Sequence, residues 1–392
     1  MSRAFQQASV GYVRCARRPP GAAKRLRLVW PTLRLACVLL LALPVMACGS
    51  SPRSRPAPRA GVGCTRIASP TGSDRARGTA TRPYRTVRRL LGALHAGQVG
   101  CLEAGTYTQN VEIVGGGRRG HPLTLRSLPG QTATIQGRLW IARSAAFVTI
   151  EDLKLDGKSR DPACHGVPCP SPTVDAEHAT FAFDDVTNEH TAICFDLGNR
   201  SYGIAVDTLI TRSRIHDCGL LPATNHNHGI YVEAARNTTI VHNLIADNAD
   251  RAIQFYPQSI GSRIENNLII GNGEGVDFSG LGNLTSSDNI VRGNVIVDSQ
   301  RGANVYSYYA PGTPAGKGNH VDGNCIGGNP VGNPDGVLGV GPPVGFTLRN
   351  NIAATAVDAI QSRKLLVAPR LTVRSPHCAR LLRATDVGYS IP

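Results

Sequence analysis

The chain has 392 residues, a formal net charge of +15 and 11 cysteines. Eight of its 42 basic residues and none of its acidic residues lie in the first 47 positions, so the charge is +7 without them. Three more arginines (Arg53, Arg55 and Arg59) follow in a Pro/Ser/Arg-rich stretch, which leaves about +4 for the rest. So mild a charge, without a nucleic-acid motif, argues against a nucleic-acid partner and is compatible with an acidic polysaccharide.

Residues 1–47 have the composition of an export signal. Basic residues precede an apolar run, Leu35 to Leu43, and the sequence Val-Met-Ala-Cys follows at positions 45–48. This order predicts a lipoprotein signal, with Cys48 as the lipidated first residue of the mature chain on the outer face of a membrane. The alternatives are an ordinary cleaved signal and a single anchor helix. Residues 48–62 are rich in Pro, Ser and Arg and are predicted to be a flexible tether.

Residues 63–100 are predicted to be a run-in to the main domain. Four apolar residues follow helical spacing between Arg82 and Gln98, which predicts an amphipathic helix in this segment. They are Val87, Leu90, Leu91 and Leu94.

A short phrase recurs through the second half of the chain. It reads IVHNLIADN from Ile240, IENNLIIGN from Ile264 and VRGNVIVDS from Val291. Looser copies begin at Val321 and Leu348, and Ile210 falls in the same register. Fainter copies begin upstream at Phe181 and Ile150, and the steps are 24 to 31 residues. Each copy holds short β-branched segments between turn residues, not long helical runs. The period therefore predicts stacked β-strands.

The predicted fold is all-β, a single-stranded right-handed parallel β-helix with three short strands in each rung, a rung being one turn of the coil. About nine rungs are expected over residues 101–370, reaching back through Ile135 to Leu125, with a tail at 371–392. One asparagine recurs at the same turn of successive copies. These residues, Asn243, Asn267, Asn294, Asn324 and Asn351, are predicted to stack as an amide ladder with a structural role.

The segment CLEAGTYTQNVEIVGGGRRGHPLTLRSLPGQTATIQG, from Cys101 to Gly137, resembles the first rungs of the pectin-lyase-like superfamily, particularly its chondroitinase-B-like and alginate-lyase-like members. The repeats with HGIYVE from His228 are similar to those of polymannuronate C5-epimerases. The resemblance covers about three quarters of the chain. It implies the β-helix fold, a capping role for the run-in helix, and a saccharide-binding face along one strand of several rungs.

Eight cysteines remain after the leader and Cys48, and an even number in an exported chain predicts disulfide bonds. Position favours the pairs Cys64 with Cys101, Cys164 with Cys169, Cys194 with Cys218, and Cys325 with Cys378. No Cys-x-x-Cys pair is present, so a zinc site is not expected.

The strand after each turn is the candidate site. It reads TAICFDL, HGIYVEA, RAIQFYP, EGVDFSG and RGANVYS in five rungs. Because side chains alternate across a strand, one outward column is predicted to hold Cys194, Tyr231, Gln254, Asp277 and Asn304. The next outward column holds Asp196, Glu233, Tyr256, Ser279 and Tyr306, and a column of small residues holds Gly229, Ala252, Gly275 and Gly302. His228, Arg251, Glu274 and Arg301 are expected at the turn before the strand.

These columns predict a saccharide site in which five residues are the candidate catalytic groups: His228, Tyr231, Arg251, Asp277 and Arg301. The candidate substrate contacts are Glu233, Gln254, Tyr256, Glu274, Asn304 and Tyr306. Elimination or epimerisation of a uronic acid needs a cation or metal for its carboxylate and a base for its C5 proton. Arg251 or Arg301 is the candidate cation, and His228 or Tyr231 the candidate base. The Lys/Arg pair of chondroitinase-B-like enzymes and the Asp-Pro-His-Asp signature of the epimerases are not carried over, because lysine is scarce and the signature is absent.

Other interpretations remain open at this stage. Hydrolysis needs two carboxyl groups, for which Glu233 with Asp277, or Glu274 with Asp250, are the candidates, and it ranks below elimination or epimerisation. A metal at His226 and His228 lacks identified acidic partners, so no metal site is assigned, and calcium is kept only as an optional cofactor. The polar columns also fit a β-helix whose outer residues only stabilise the coil.

The leading interpretation is an exported, lipid-anchored monomer that binds or modifies an acidic polysaccharide at the cell envelope, or a secreted form of it. The alternative is a non-catalytic carbohydrate-binding or structural solenoid.

Overall fold

The computed structural model describes residues 63–158, 169–327, 340–354 and 375–384. The predicted leader and tether, Cys48 and Cys164 lie outside the described residues.

The N-terminal part of the fold consists of short strands and one short helix. Its elements are β1 (Arg66–Ala68), α1 (Val87–Leu91), β2 (Val99–Leu102), β3 (Gly105–Thr108), β4 (Val111–Ile113), β5 (Leu123–Ser127), β6 (Ala133–Gln136), β7 (Leu139–Ile141), β8 (Val148–Glu151), β9 (Leu153–Asp156) and β10 (Thr173–Val174).

The central rungs contain β11 (Thr180–Ala182), β12 (Asp185–Thr187), β13 (Phe195–Leu197), β14 (Ala205–Val206), β15 (Leu209–Thr211), β16 (Arg214–His216), β17 (Ile230–Arg236), β18 (Thr239–Val241), β19 (Leu244–Ala246) and β20 (Arg251–Ile260). The C-terminal rungs contain β21 (Arg263–Glu265), β22 (Leu268–Ile270), β23 (Glu274–Leu281), β24 (Leu284–Thr285), β25 (Ile290–Arg292), β26 (Val295–Val297), β27 (Val305–Tyr309), β28 (Asn319–Asp322), β29 (Cys325–Gly327), β30 (Phe346–Arg349) and β31 (Ile352–Ala354), followed by α2 (Pro376–Ala384).

These strands form three sheets that wrap around one axis. Sheet 1 runs β1-β2-β5-β8-β11-β15-β18-β21-β25-β28-β30, sheet 2 runs β3-β6-β9-β12-β16-β19-β22-β26-β29-β31, and sheet 3 runs β4-β7-β10-β13-β17-β20-β23, with β24 and β27 both pairing with β23. The pairing is parallel throughout these paths except at β24, which pairs antiparallel with β23. The chain is therefore a right-handed parallel β-helix, as predicted. Eight rungs have a strand in all three sheets among the described residues, against the expected nine or so.

The repeat register predicted from the sequence is confirmed along sheet 1. Ile150, Phe181, Ile210, Ile240, Ile264, Val291, Val321 and Leu348 pair in that order across successive strands. All but Leu348 are fully buried, and Leu348 packs against the same core. Aromatic rings also belong to this core, with the Phe255 and Phe278 ring centroids 5.2 Å apart. Burial of this continuous apolar column is the main stabilising contribution to the coil.

The predicted amide ladder is also present, at the turn between sheets 1 and 2. The Nδ2 atom of Asn243 donates to Oδ1 of Asn267 at 3.0 Å, and Asn267 donates in the same way to Asn294 at 2.9 Å. Asn324 and Asn351 continue the chain of bonds. Each Oδ1 also accepts a backbone N–H of the preceding rung, so buried turn amides are satisfied without solvent.

The run-in contributes to the first rungs. Strand β1 pairs with β2 in sheet 1, ahead of the predicted start of the β-helix at residue 101. Helix α1 has five residues, so it is shorter than its apolar spacing predicted. Val87, Leu90 and, beyond the helix, Leu94 join the buried core, while the predicted capping role of this helix stays a prediction.

Three predicted disulfide bonds are present: Cys64–Cys101, Cys194–Cys218 and Cys325–Cys378. The first ties the run-in to β2, and the last ties α2 to β29. Cys169 is also disulfide-bonded, and its predicted partner lies outside the described residues. In the parts of the chain that the structure describes, no helix is long and apolar enough to cross a membrane.

Candidate functional site

The outer face of sheet 3 carries one continuous column of side chains. In cross-strand register it contains Glu112, Trp140, Thr173, Asp196, Tyr231, Gln254, Asp277 and Tyr306. The residues just before the last five members, such as Ile230 and Val276, point inward and are fully buried. The column therefore brings eight mostly polar or aromatic side chains to one face, which is named the outer face of sheet 3 below.

The predicted column is right in the three central rungs and wrong at both ends. Asp196, not Cys194, pairs with Tyr231, and Tyr306, not Asn304, pairs with Asp277. Cys194 is buried in its disulfide bond. The turns before the strands differ in length, with seven residues between β12 and β13 and three between β22 and β23. Counting from the turn consequently misplaces the register by two residues in the first and last rungs.

The same shift applies to the predicted column of small residues. Asn304, not Gly302, lies beside Gly275, because the amide of Val276 donates to the carbonyl of Asn304 at 2.9 Å. The Asn304 side chain is buried and donates to the carbonyl of Gly327 at 2.9 Å. It therefore stabilises the coil and has no surface for the substrate contact that was predicted.

Arg251 is the centre of a nearly buried polar network. Its exposed fraction is 6%, and its Nε lies 3.3 Å from Oε2 of Glu274 and 3.2 Å from Oδ2 of Asp277. The Tyr306 hydroxyl accepts from Arg251 and donates to Glu274. The Nη1 atom of Arg251 also donates to the backbone carbonyl of Asn225 at 2.9 Å. The predicted residues are thus brought together, but the guanidinium is already occupied by protein partners.

Asp277 lies at the bottom of this network and is fully buried. Its Oδ2 accepts from Gln254 at 2.8 Å and from the Ser279 hydroxyl at 2.7 Å, whereas Oδ1 has no hydrogen-bond partner among the described residues. Burial raises the pKa of Asp277 to about 6, although Arg251 acts in the opposite direction. A carboxyl with this pKa can exchange a proton near neutral pH.

His228 is 2% exposed and lies beside Tyr231, with 5.6 Å between the ring centroids. Burial, and then the charge of Arg251, place the pKa of His228 well below its usual range, so the imidazole is neutral at pH 7. Burial also raises the pKa of Tyr231 well above its usual range, so its hydroxyl stays protonated near neutral pH and is not available as a base. The two predicted bases are therefore one buried imidazole and one protonated phenol.

Arg301 holds a neighbouring turn in place. Its Nη1 donates at 2.8 Å to Asp250, which is buried and also accepts the backbone amides of Asn225 and Asn227 at 2.9 Å. The guanidinium is about half exposed, unlike that of Arg251. Among the predicted catalytic cations, Arg301 is the one with surface open to a ligand.

A second group, the carboxyl cluster, consists of Asp175, Asp196 and Glu233. Burial raises the pKa of Asp196 well above its usual range, and the charges of Glu233 and Asp175 act in the same direction. Burial likewise raises the pKa of Glu233, despite hydrogen bonds from Asn199 at 3.1 and 3.3 Å. Asp175 is buried, and burial raises its pKa as well. Of the three, only Glu233 was predicted as a site residue.

Aromatic side chains flank the carboxyl cluster on both sides. Tyr231 and Tyr256 stack with ring centroids 6.2 Å apart, and on the other side Trp140 meets Tyr202 edge to face at 6.2 Å. Trp140 and Tyr202 line a pocket of about 310 Å³. Sequence analysis missed this half of the site because its strands, such as β7 and β10, lack the Asn-centred phrase. The alternation in Leu139–Ile141 was the available signal.

No group of three or more His, Cys, Asp or Glu side chains within the described ranges is arranged to hold a metal ion. Within those ranges, the acidic partners that a metal site at His226 and His228 would need are not brought to the two histidines.

Comparisons with known proteins agree with this architecture. A family profile described as "Right handed beta helix region" matches residues 176–340. Pectate lyase Pel9A is similar in structure, with a TM-score of 0.53 and 17% identity over 76% of this chain and 77% of that one. A rhamnogalacturonan lyase has a TM-score of 0.50 and 12% identity over 68% and 74%.

An alginate lyase from Paenibacillus sp. str. FPU-7 has a TM-score of 0.42 and 15% identity over 69% and 93%, too low a similarity to support an argument. A search among curated proteins found no significant sequence match. Identities this low establish the fold alone. The chain is a right-handed parallel β-helix protein, and its resemblance to pectin-lyase-like proteins is confirmed at the level of the fold.

Proposed function

We propose that the protein binds an acidic polysaccharide along the outer face of sheet 3 and modifies it chemically. The observation that carries this proposal is the carboxyl cluster with raised pKa values, placed between two pairs of aromatic rings on the outer face of sheet 3. At about 4.8 Å per rung, the eight members of that column extend over roughly 34 Å. A face of this length suits a polymer better than a small molecule. The similar folds named for pectate and rhamnogalacturonan support the substrate class.

The proposed reaction is elimination or C5-epimerisation of a uronic acid. In elimination, a base removes the C5 proton, the C–H electron pair forms the C4–C5 double bond, and the C4–O bond breaks with a proton passing to the leaving oxygen. In epimerisation, a proton returns to C5 from the other face. Glu233 and Asp196 are the proposed proton-transfer groups, because burial raises the pKa of each carboxyl above its usual range and so favours a form that can donate a proton.

A cation is needed beside the uronate carboxylate in either reaction. Arg251 is held by Glu274, Asp277 and Tyr306, so it contributes to the shape of the site and its electrostatics instead of direct contact. Arg301, which is half exposed, is the proposed contact. His228 keeps its predicted role as a base only if the site opens, since it is almost fully buried here.

A second candidate reaction is glycoside hydrolysis, and one observation favours it. Asp196 and Glu233 are close enough for the charge of Glu233 to raise the pKa of Asp196. Two neighbouring carboxyls are more stable with one of them protonated than with both ionised. The protonated one can act as a general acid beside a carboxylate. This pair differs from the two pairs expected from the sequence. In one of those, Glu274 with Asp250, both carboxylates form ion pairs, Glu274 with Arg251 and Asp250 with Arg301.

Three product assays separate these reactions. The protein is incubated with alginate, chondroitin sulfate and pectate, and ultraviolet absorbance of unsaturated products, new reducing ends and deuterium uptake at C5 in heavy water are measured. We expect absorbance with new reducing ends for elimination, deuterium uptake alone for epimerisation, and reducing ends without absorbance for hydrolysis. Glu233→Gln and Asp196→Asn are expected to lower the rate by about 100-fold or more. Glu265→Gln on sheet 1 is the matched control.

Binding without any product, and without an effect of these substitutions on stability, would contradict the catalytic proposal. That result would favour the alternative of a non-catalytic carbohydrate-binding solenoid. Absence of both binding and product would contradict the polysaccharide proposal altogether.

The proposal includes export. Three described disulfide bonds fit an oxidising compartment outside the cytoplasm. We propose that Cys48 carries the lipid anchor, which would hold the protein at the cell envelope. Labelling of cells with a radioactive fatty acid is expected to mark the wild-type chain and not Cys48→Ser, whereas equal labelling would contradict the anchor.

A further inference from the structure

The pocket at the N-terminal end of the outer face of sheet 3 has the features of a separate sugar-binding site. Its volume is about 310 Å³, and its lining includes Glu112, Trp140, Arg143, Ser144, Ser201 and Tyr202. Glu112 and Trp140 belong to the column that continues through Thr173 to Asp196. Two rungs, or roughly 10 Å, therefore separate Trp140 from Asp196.

The aromatic wall of this pocket is held rigidly from behind. The indole Nε1 of Trp140 donates to Oδ2 of Asp175 at 2.7 Å, and the guanidinium of Arg138 lies 4.8 Å from the ring centroid. Tyr202 comes from the tight turn Asn199–Gly203, in which the amide of Asn199 donates to the carbonyl of Gly203 at 2.7 Å. A side chain at Gly203 would collide with the carbonyl of Asp175, so the turn is packed directly against the sheet.

Although its turn is tightly packed, the Tyr202 side chain is 55% exposed. Its ring meets Trp140 at an interplanar angle of 83°. The two rings, nearly at a right angle, form an apolar corner that is open to solvent. Large aromatic surfaces left exposed in a concave site are typical of ligand contacts, because covering them removes apolar area from water.

Two charged side chains, Arg143 and Glu112, also line the pocket. Arg143 is exposed, and among the described residues its guanidinium takes part in no hydrogen bond or ion pair. A guanidinium presents a planar fork of donors that matches a carboxylate. Glu112, which is also exposed, is an acceptor for hydroxyl groups on the same ligand. The pocket thus combines an apolar corner, an exposed cation and an acceptor.

We infer that this pocket binds one uronic-acid unit of the polysaccharide, with its ring against Trp140 and Tyr202, its carboxylate on Arg143 and a hydroxyl on Glu112. The inference rests on the proposed function and specifies the substrate class. The pocket anchors the chain two rungs from Asp196, and the contact of the carboxylate with Arg143 selects uronate-containing polymers over neutral ones.

Trp140 makes the site directly observable. The chain has two tryptophans, Trp30 and Trp140, so the full chain with Trp30→Phe reports fluorescence from the pocket alone. We expect a saturable change in fluorescence with trimers of galacturonate or mannuronate. The neutral trimer galactotriose is expected to bind about 10-fold more weakly, because it lacks the carboxylate.

Two substitutions in this background separate the roles. Arg143→Gln is expected to weaken uronate binding about 10-fold and to leave the affinity for the neutral trimer unchanged. Tyr202→Ala is expected to weaken both about fivefold to 10-fold, because it removes half of the aromatic corner. Arg292→Gln and Phe183→Ala, an exposed arginine and an exposed aromatic residue away from sheet 3, are the matched controls and should bind like the parent.

Calorimetric binding and product formation are measured on the same samples. If uronate trimers bind, or polymer is modified, without changing Trp140 fluorescence and regardless of Arg143→Gln and Tyr202→Ala, the inference is wrong while the proposed function stands. An equal effect of Arg143→Gln on uronate and neutral trimers would also overturn the carboxylate assignment. If the full chain neither binds nor modifies any uronate-containing ligand, the proposed function and the inference fail together.

Discussion

Asp184 occupies a position in the turn ladder that asparagine occupies in five later rungs. Its Oδ1 accepts the backbone amide of Leu153 at 3.0 Å, and its own amide donates to the Ser213 hydroxyl at 3.1 Å. The side chain is fully buried, and Oδ2 has no hydrogen-bond partner in the described part of the chain. Burial, and then the nearby charges of Asp152 and Glu151, place the pKa of Asp184 well above its usual range. An asparagine at this position would add a donor where the ladder lacks one.

The equivalent atom in a later rung shows what Asp184→Asn would gain. The Nδ2 atom of Asn243 donates to the carbonyl of Ile210 in the preceding rung at 2.9 Å. By register, the carbonyl of Ile150 is the equivalent acceptor for residue 184. Replacing an unpartnered buried oxygen with a bonded donor is expected to raise the free energy of unfolding by about 1–3 kcal/mol. The melting temperature should rise by about 2–4 °C per kcal/mol.

The gain should also depend on pH. The pKa of Asp184 is higher in the folded chain than in the unfolded chain. The contribution of this carboxyl to stability is therefore fully present below its pKa in the unfolded chain, and it is lost as the pH rises through its pKa in the folded chain. The amide that replaces this carboxyl in the variant does not titrate in this range. The advantage of the substitution is therefore expected to be smallest near pH 4 and to grow toward pH 8.

Thermal and denaturant unfolding of both proteins between pH 4 and pH 8 test this prediction. Asp288→Asn, at an exposed turn position, is the control and should change stability by less than about 0.5 kcal/mol at every pH. A destabilised Asp184→Asn protein, or a gain that does not vary with pH, would refute the argument. Either result would mean that the carboxyl has a partner that an amide does not replace.

Two further stability predictions follow from the buried polar groups. Asn267→Ala removes the acceptor of two buried Asn243 donors and should lower the free energy of chemical unfolding by at least about 2 kcal/mol. Asn351→Ala, at the half-buried end of the ladder, should lower it by about 1 kcal/mol or less. Equal losses would contradict an extended ladder. Arg251→Gln leaves two carboxyls without their cation and should cost about 3–5 kcal/mol at pH 8. The loss should be smaller at pH 5, where Asp277, whose pKa burial raises to about 6, is protonated, and a loss independent of pH would contradict this reasoning.

The rungs could be predicted from the sequence because each one repeats the same local pattern. An apolar residue enters the core and the asparagine follows three residues later, as in Ile240 with Asn243 and Ile264 with Asn267. The apolar residue is buried and the asparagine is hydrogen-bonded only when successive copies stack, so periodicity alone indicates the fold. The cysteine pairs were predictable for a similar reason, since Cys194 and Cys218 lie one turn of the coil apart.

The chemistry of the outer face of sheet 3 was less accessible to sequence reasoning. The turns that lead into this sheet differ in length, so the register of Asp196 and Tyr306 could not be counted from the turn. Burial determined which of the predicted site residues are open to a ligand. His228, Arg251 and Asp277 were expected at the surface of a site, but Tyr306 and Glu274 complete a network that encloses the guanidinium.

The sequence by itself determined the stacked β-coil, the positions of its rungs and the asparagine ladder, because these depend on contacts between residues at a constant spacing. Only the tertiary structure decided which side chains meet on the outer face of sheet 3. It placed Asp175, Asp196 and Glu233 together and set Trp140 against Tyr202 from separate segments. Contacts of this kind depend on turn length and on the burial of each group, and neither quantity repeats along the chain.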